Sequence, residues 1–447
     1  MTPRQMVSIA LADAFLAGPP AYSLLQERGA KALGENPAWL RKLTQRLYVM
    51  FGISLVNLDR LDLARIVMAD NDYIDAWRSG KKSPRIRHQF LQPPFAGPRR
   101  GLFARAHLPS LSTSGDLARW VELEPTELDW FTDYRNTERR SEAGPLRHYH
   151  YRWMRKRNGA YRLVEVPKER LRRAQRKILR MFLDRLPLHH AAHGFRRGHS
   201  CATHAAVHVG QEIVIRMDLK NFFPSIPAPR IHAMFRAIGY SISVARSLTA
   251  LCTNRVPDTV LNDLPATDET PRITWHERKQ YATKHLPQGA PTSPALANLC
   301  AFRLDLRLAA AARSLGARYT RYADDLAFSG GELLRQNADR FHIMVCRIAL
   351  SEGFEVNTRK TRIMHKSVRQ QLTGIIVNDR PNIARKKYDQ LKATLHNCSR
   401  SSPEAQNIHG ILDYRAHLLG KIAYVQFLNA RRGSRLKKIF AEIDWSK

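Results

Sequence analysis

The stretch Tyr319-Thr-Arg-Tyr-Ala-Asp-Asp-Leu-Ala-Phe-Ser-Gly330 decides the fold of this chain. Two short apolar runs enclose Asp324 and Asp325, and glycines follow, a pattern that predicts a β-hairpin with both acids at its tip. Adjacent carboxylates repel each other and lose hydration when half buried, so a fold rarely keeps them there without a cation. Taken alone, an Asp-Asp pair is most often a solvated turn. Whether this pair is a turn or a cation site depends on the other acids in the chain.

A third aspartate, Asp218, lies in the β-rich run from Ile213 to Leu219. A strand over this run places Asp218 at or near its end, where the strand itself has no need of an acid. Together with Asp324 and Asp325 it could hold two Mg²⁺ ions, as two-metal phosphoryl transfer requires. Mg²⁺ prefers hard oxygen ligands, and water and substrate phosphates complete its shell.

Four segments, in this order along roughly residues 145–445, resemble the motifs of reverse transcriptases. They are the segment Asp218 to Phe223, the run Leu286-Pro-Gln-Gly-Ala-Pro-Thr-Ser-Pro-Ala-Leu-Ala-Asn298, the Tyr322-Ala-Asp-Asp box, and Asn357-Thr-Arg-Lys-Thr361. Each motif is moderately specific, and their common order and spacing identify the chain as a member of this family. The resemblance implies an α+β right-hand polymerase with fingers, palm and helical thumb, plus an N-terminal, mainly helical extension.

The resemblance also implies roles at the catalytic centre. Asp218 and Asp324 would be the principal metal ligands, Asp325 a secondary one, and the backbone carbonyl of Leu219 would complete the shell of the second metal. Such metals lower the pKa of the primer hydroxyl and neutralise charge on the reacting phosphorus. Lys360 would be the general acid that protonates the pyrophosphate leaving group, although a lysine near a polyanion is also an electrostatic clamp.

Further residues match positions that contact the nucleotide in the family. Phe223 occupies the position of the steric gate against a ribose 2′-OH, which fits the use of dNTPs, whereas Phe222 is expected in the core. Gln288 and Gly289 would contact the incoming nucleotide and its template base. Without the resemblance, the proline-flanked run around them would indicate only a turn.

A basic hairpin is predicted upstream, between Arg152 and Lys168. Two strands flank Asn158-Gly159, a favoured two-residue hairpin turn. The family carries its triphosphate-binding cations on such a fingers hairpin, and Arg162 is the best match. Further candidates, which the sequence does not rank, are Arg155, Lys156 and Lys168.

Composition limits the partners and the compartment. The 447 residues carry 73 basic and 39 acidic side chains, a formal charge of +34 that predicts a polyanionic partner and salt-sensitive binding. The five cysteines include no Cys-x-x-Cys pair, and free thiols suit a reducing cytoplasm. No apolar stretch reaches about 18 residues, and the N-terminus lacks a signal-peptide pattern, so we expect a cytoplasmic protein without a membrane partner.

The chain divides into three predicted parts. Residues 1–140 form the helical extension, 141–380 the fingers and palm, and 381–447 a basic helical thumb. Predicted elements of the extension are amphipathic helices over Ser8 to Leu33 and Pro37 to Phe51, a linker from Gln92 to Arg100, and a helical pair from Leu117 to Tyr134. Helices at Arg385 to Asn397 and Ile408 to Asn429 are predicted in the thumb.

Three local features resemble the bacterial retron class of the family. The segment His204-Ala-Ala-Val-His208 resembles the Asn-Ala-x-x-His signature of this class, with histidine in place of asparagine. The triplet Leu372-Thr-Gly374 resembles its Val-Thr-Gly motif, and Asn221-Phe-Phe-Pro-Ser-Ile226 matches the usual sequence of the class at that place. His204 and His208 stand four residues apart, but the glutamate of a zinc protease helix is missing. They are therefore interpreted as structural or RNA-facing side chains.

A retron-type enzyme would have a structured noncoding RNA as template and primer, dNTPs as substrates and an RNA–DNA hybrid as product complex. It would make single-stranded DNA, often branched onto RNA, in antiphage defence with an effector protein. Two alternatives stay open. One is another defence-associated bacterial reverse transcriptase, and the other is a maturase-like protein that binds structured RNA.

Overall fold

The computed structural model describes residues 2–58, 60–78, 83–90, 108–111, 113–133, 137–138, 144, 146–156, 159–264 and 273–445. The predicted linker from Gln92 to Arg100 and the turn residue Asn158 lie outside these ranges. The chain forms two compact units. The first unit contains Met1–Pro187 and Ile226–Leu296, and the second contains Leu188–Ser225 and Ala297–Lys447. The three-part division expected from the sequence stays a prediction.

Helices and strands occur in separate runs along the described residues, as the α+β prediction requires. The α-helices are α1 (Pro3–Leu16), α2 (Tyr22–Leu33), α3 (Ala38–Phe51), α4 (Arg60–Ala69), α5 (Asn71–Arg78), α6 (Ser114–Val121), α7 (Pro125–Thr132), α8 (Glu169–Met181), α9 (Cys201–Ala206), α10 (Ala228–Ile238), α11 (Ile242–Cys252), α12 (Asp258–Asn262), α13 (Trp275–Tyr281), α14 (Ser293–Cys300), α15 (Phe302–Arg313), α16 (Glu332–Gln336), α17 (Ala338–Ser351), α18 (Arg385–Arg400), α19 (Pro403–Gln406), α20 (Tyr414–Leu428) and α21 (Ala430–Ala441). The strands are β1 (Tyr149–Arg155), β2 (Tyr161–Pro167), β3 (Ile213–Asp218), β4 (Arg318–Tyr322), β5 (Asp325–Gly330), β6 (Arg362–His365), β7 (Gln371–Leu372) and β8 (Ile375–Ile376).

The N-terminal helices of the first unit pack around a leucine-rich core that includes Leu11, Phe15 and Leu40. A capping box in which Thr2 and Gln5 satisfy each other's backbone amides starts α1. The single helix predicted from Ser8 to Leu33 is wrong, because two helices occupy this range. Pro19 and Pro20 separate them, since proline cannot donate the next helical hydrogen bond.

The first unit also contains the predicted basic hairpin. Strands β1 and β2 pair antiparallel from Tyr149↔Pro167 to Arg155↔Tyr161. Gly159 adopts a φ of +83° in the connection, a conformation that glycine reaches without steric cost. Leu163 of β2 is buried whereas Arg162 is exposed, because neighbouring side chains of a strand point to opposite faces.

A four-stranded antiparallel sheet forms the centre of the second unit, in the order β4-β5-β3-β6. Its central strand β3 is buried along almost its whole length, as expected for a strand bordered on both sides. Strands β4 and β5 form the hairpin predicted from the Asp-Asp box, and β3 ends at Asp218 as predicted. The register places Asp218 directly opposite Asp325.

The last part of the second unit is helical. Helices α18, α20 and α21 share a core that includes Leu391, Leu395, Leu418 and Leu436. The helix predicted from Arg385 extends to Arg400, and the one predicted to start at Ile408 begins only at Tyr414. Within the ranges that the structure describes, no helix combines the length and apolarity needed to cross a bilayer.

Candidate active site

Strand pairing gathers the three aspartates at one end of the sheet. Asp218 and Asp325 are register partners on β3 and β5, and Asp324 lies in the turn that precedes β5. The turn is tied to the end of β3 by a hydrogen bond of 2.9 Å from the Leu219 amide to the Asp324 carbonyl. The structure therefore brings together four residues that the sequence assigned to one metal centre.

A strained backbone conformation aims this turn. Ala323 has a φ of +56°, in the left-handed region that residues with a side chain rarely adopt. A Cβ atom on Gly194 would lie 2.5 Å from the Ala323 amide nitrogen, so only glycine fits beside the turn. The Arg321 guanidinium also donates a hydrogen bond of 3.1 Å to the Ala323 carbonyl. Surrounding structure therefore holds the conformation in place.

Arg321 is the centre of a network that the sequence analysis missed. Its guanidinium donates to both Asp305 carboxylate oxygens, at 2.8 and 2.6 Å, and to the Asn298 side-chain oxygen at 2.9 Å. The Tyr319 hydroxyl donates to Asp305 as well. Arg321 and Asp305 are 0% exposed. The available signal was an arginine inside a strand whose neighbours are buried, which calls for a buried acid as its partner.

Charge is poorly balanced at Asp324. Burial, and then repulsion from Asp218 and Asp325, raise the pKa of Asp324 to about 6. Burial also raises the pKa of Asp325, although Arg216 opposes the rise. Carboxylate oxygens with too little positive charge around them are a donor set that suits a hard divalent cation. The residues at this end of the sheet thus fit a metal ion.

Two cationic side chains contact Asp218 and Asp325. The Lys360 ammonium lies 3.1 and 3.0 Å from the two Asp218 oxygens, and Arg216 donates to both oxygens of Asp325. In the described part of the chain, no three His, Cys, Asp or Glu side chains are arranged as they stand to hold a metal ion. Asp218 and Asp325 are therefore neutralised by protein cations rather than assembled as a finished metal cage.

Two adjacent phenylalanines near this site, Phe222 and Phe223, differ in burial. Phe222 is buried and its ring lies 5.6 Å from that of Phe354, which confirms that it belongs to the core. Phe223 is half-buried, with its ring 6.2 Å from Phe195. Phe195 was missed as a neighbour of the site, although it is exposed, has a φ of +57° and lies 6.4 Å from the Tyr322 ring.

In the first unit, the loop of Gln288 and Gly289 lies on the strand that carries Arg162. The Glu165 amide donates to the Gln288 carbonyl at 2.9 Å. Gly289 has a φ of +136°, and a Cβ atom there would lie 2.7 Å from the Glu165 carbonyl oxygen. Glycine is therefore required at Gly289 for both its conformation and its close approach to β2.

A second buried ion pair supports this loop, and it too was missed. Glu165 and His285 are both 0% exposed, with 3.0 Å between Nε2 and Oε1. The Asn254 amide donates to the other Glu165 oxygen at 2.7 Å. Burial lowers the pKa of His285, but the charge and hydrogen bond of Glu165 together with the Thr283 carbonyl outweigh burial and leave the pKa raised. His285 immediately precedes the recognised run, so only its contact in space reveals it.

His204 and His208 are structural. Both are fully buried, and the His208 ring bonds the hydroxyls of Ser329 at 2.7 Å and Thr320 at 2.6 Å. Burial lowers the pKa of His204 to about 3 and that of His208 well below its ordinary value, so both rings are neutral. Of the two interpretations given for these side chains, structural or RNA-facing, their burial supports the structural one.

Comparison with known proteins agrees with this geometry. The sequence model of the family described as "Reverse transcriptase (RNA-dependent DNA polymerase)" matches residues 154–377. The chain is 37% identical to the Retron Mx65 reverse transcriptase of Myxococcus xanthus, over 76% of this chain and 74% of that protein. It is 33% identical to the Retron Mx162 reverse transcriptase of the same species, over 79% and 72%. For the Retron Ec86 reverse transcriptase of Escherichia coli the identity is 30%, over 61% and 78%.

The family match includes the three aspartates, Phe223, Lys360 and the loop of Gln288. Proteins of this family bind nucleic acid templates and generally use divalent metal ions. Mixed helix and strand around an antiparallel sheet is consistent with their right-hand polymerase fold. The chain therefore belongs to the reverse transcriptases, as an RNA-directed DNA polymerase of the retron type.

Proposed function

We propose that this enzyme uses two Mg²⁺ ions to copy a structured noncoding RNA into single-stranded DNA, as retron-type msDNA synthesis. The observation that carries the proposal is the pairing of Asp218 with Asp325 beside an Asp324 carboxyl whose pKa is raised. Asp218 and Asp325 each face a protein cation, whereas Asp324 is buried beside them with its pKa raised, and a buried carboxyl of this kind serves cation binding better than it serves folding.

Asp218 and Asp324 would be the main ligands, with Asp325 and the Leu219 carbonyl as further oxygen donors. When bound, the metals would lower the pKa of the primer hydroxyl and offset the charge that develops on the transferred phosphate. The turn held by Arg321 keeps the Asp324 backbone in one conformation, so its carboxylate needs little reorganisation on binding.

Lys360 is proposed as the group that protonates the departing pyrophosphate. Its ammonium lies 3.0 Å from Asp218, yet the side chain is 57% exposed. An exposed lysine can turn from a carboxylate to a more strongly charged triphosphate without a change in the backbone. The same movement would free Asp218 to act as a ligand.

The substrate side is proposed to use Phe223 as the gate against a 2′-OH, and Arg162, Gln288 and Gly289 to contact the nucleotide. Phe223 is only partly buried, as a gate needs. Arg162 is exposed on β2, and the Gln288 loop is fixed to that strand by a backbone hydrogen bond. Arginine suits a triphosphate because its planar donors bind phosphate oxygens in pairs.

The nucleic-acid partner is proposed to be an RNA that is both template and primer, held afterwards as an RNA–DNA hybrid. A formal charge of +34 supports a long contact with a polyanion. Residues 381–447 are proposed as the thumb, residues 141–380 as fingers and palm, and residues 1–140 as an extension. Antiphage defence in the cytoplasm with an effector protein completes the proposal, on the similarity to retron enzymes.

The test is expression with the native flanking DNA, followed by analysis of the copurifying nucleic acid before and after RNase and debranching enzyme. We expect a discrete single-stranded DNA whose mobility shifts on debranching. It should be absent in Asp324→Ala and present in the control Asp379→Ala, which changes an exposed aspartate. Unbranched or heterogeneous DNA would instead indicate another defence enzyme. RNA alone, unaffected by Asp324→Ala, would indicate a maturase-like binding protein.

A further inference from the structure

Arg216 is a charged residue in β3, a strand whose other residues are all buried. It precedes Asp218 by two positions on β3, so both side chains point to the same face. The guanidinium makes three hydrogen bonds with Asp325: Nε to Oδ1 at 3.0 Å, Nη2 to Oδ1 at 2.7 Å, and Nη2 to Oδ2 at 2.9 Å. Both oxygens of Asp325 are therefore already engaged by a cation.

The surrounding strand does not require this arginine. The neighbours Ile215 and Met217 are fully buried on the other face. Val214, on the same face as Arg216, packs in a hydrophobic cluster with Ala327. The Arg216 side chain is 37% exposed and that of Asp325 is 17% exposed, so the pair lies where a cation from solvent can reach it. A fully buried pair, such as Arg321 with Asp305, offers no such access.

A guanidinium and a divalent cation exclude each other at one carboxylate. Like charges a few ångströms apart repel strongly where water is partly excluded. Arg216 has to leave Asp325, at least in part, before a metal ion can use the same oxygens. Phosphate oxygens of a nucleic acid or of a triphosphate would be a suitable alternative partner for the displaced arginine.

We propose that Arg216 is a built-in counter-ion of Asp325, which competes with divalent cations for that carboxylate and weakens metal binding by the enzyme free of nucleic acid. The inference rests on the proposed metal site. It makes Arg216 a positioning residue, which acts through Asp325. Asp325 is therefore not a free metal ligand in the enzyme without nucleic acid. Its carboxylate becomes available to a metal ion only when Arg216 pairs with another anion.

The chain contains a matched control. Arg362 of β6 is the register partner of Arg216, and directly opposite side chains lie on the same face of a sheet. Its guanidinium donates to the backbone carbonyls of Arg359 and Thr361, at 3.3 and 3.0 Å, and within the described ranges of the chain it forms no ion pair with a carboxylate. Arg216→Gln and Arg362→Gln thus remove the same charge from adjacent positions, and only the first releases Asp325.

The experiment is a Mn²⁺ titration of the full-length protein without nucleic acid, followed by electron paramagnetic resonance of the unbound ion. We expect Arg216→Gln to bind Mn²⁺ on the order of tenfold more tightly than Arg362→Gln, since one repelling charge leaves the site itself. Arg216→Lys should lie between wild type and Arg216→Gln, because lysine keeps the charge but loses the paired donors. If Arg216→Gln does not fold, the comparison of Arg216→Lys with wild type decides the question.

Equal affinities in Arg216→Gln and Arg362→Gln would overturn the inference, as would weaker binding in Arg216→Gln. Absence of Mn²⁺ binding by a folded Arg216→Gln would overturn it too, because a released carboxylate has to bind better. The proposed function is tested apart from this, by DNA synthesis in Asp324→Ala. Loss of synthesis there, combined with equal Mn²⁺ affinities, would leave the metal site assigned and the role of Arg216 rejected.

Discussion

Among the residues that the structure describes, each unit has one ion pair whose two side chains are 0% exposed, and the two pairs differ in one chemical respect. In the first unit the pair is Glu165 with His285, next to the loop of Gln288. In the second unit it is Arg321 with Asp305, next to the turn of Asp324. Histidine releases its proton within the range that proteins tolerate, and arginine does not. One support is therefore sensitive to pH and the other is permanent.

The two pairs share a position next to backbone of the proposed site residues. Buried ion pairs add little net stability, because desolvation of both charges offsets their attraction. Both pairs hold backbone beside residues of the proposed site: Glu165 donates its amide to Gln288, and Arg321 bonds the carbonyl of Ala323. The two ion pairs are therefore expected to contribute to the position of the nearby backbone more than to the free energy of unfolding.

The largest expected effect is loss of the permanent pair. Arg321→Met leaves Asp305 buried without its counter-charge, and we expect the free energy of unfolding to fall by about 3–5 kcal/mol. Denaturant unfolding measures it. Arg335→Gln breaks an ion pair that is about half exposed and is the control, with an expected loss of at most about 1 kcal/mol. A loss in Arg321→Met as small as in the control would contradict the structural role of the pair.

Two glycine substitutions should disturb the two regions separately. Gly194→Ala brings a Cβ against the Ala323 amide and should lower kcat, because it displaces the turn of Asp324. Gly289→Ala meets the Glu165 carbonyl and should raise KM for dNTPs instead. Each is expected to destabilise the fold by about 1–3 kcal/mol, from strain at the backbone.

Steady-state kinetics with varied dNTP concentration separate the two outcomes. Gly420→Ala is the control, since a Cβ there meets nothing within 4 Å. If both substitutions changed kcat and KM in the same proportion, the two regions would not have distinct roles.

Loss of the pair that contains His285 should lower the free energy of unfolding less than loss of the pair that contains Arg321. In His285→Gln the side-chain amide can still donate to Glu165, so we expect a loss of about 1–3 kcal/mol. KM for dNTPs should rise more than kcat falls, because the pair supports the Gln288 loop. His276→Gln, at an exposed histidine, is the control for both measurements. A loss equal to that of Arg321→Met would remove the distinction between the pairs.

The smallest effect is the pH dependence. Because the folded pKa of His285 is raised, its stabilisation is complete below about pH 6.5 and is lost as pH rises through that raised pKa. The stability difference between wild type and His285→Gln should therefore narrow at alkaline pH, by at most about 1.4 kcal/mol per pH unit.

Denaturant unfolding at several pH values above 6 measures this narrowing. Protonation of the buried His204 and His208 destabilises the fold only on the acid side, since burial lowers their pKa values. The difference between wild type and Arg321→Met should stay constant over the same alkaline range. A parallel decline in both differences would show that His285 is not the group that titrates.

Local sequence signals were sufficient for much of the architecture. The alternation around Asp324 and Asp325 predicted the hairpin, the β-rich run predicted a strand ending at Asp218, and Phe222 was correctly expected in the core. These features depend on neighbours within a few residues, through strand propensity and turn chemistry. The helix predicted from Ser8 to Leu33 was misjudged because Pro19 and Pro20, which break a helix locally, lie inside that range.

The sequence by itself thus determined the family, the fold class and the residues proposed for chemistry. Only the tertiary structure decided what holds those residues and what neutralises them. Arg216 and Asp325 are 109 residues apart, and Glu165 and His285 are 120 apart. A charged residue in a sequence carries no mark of which opposite charge it will meet. That choice follows from strand register and loop packing, which depend on contacts far apart in the chain.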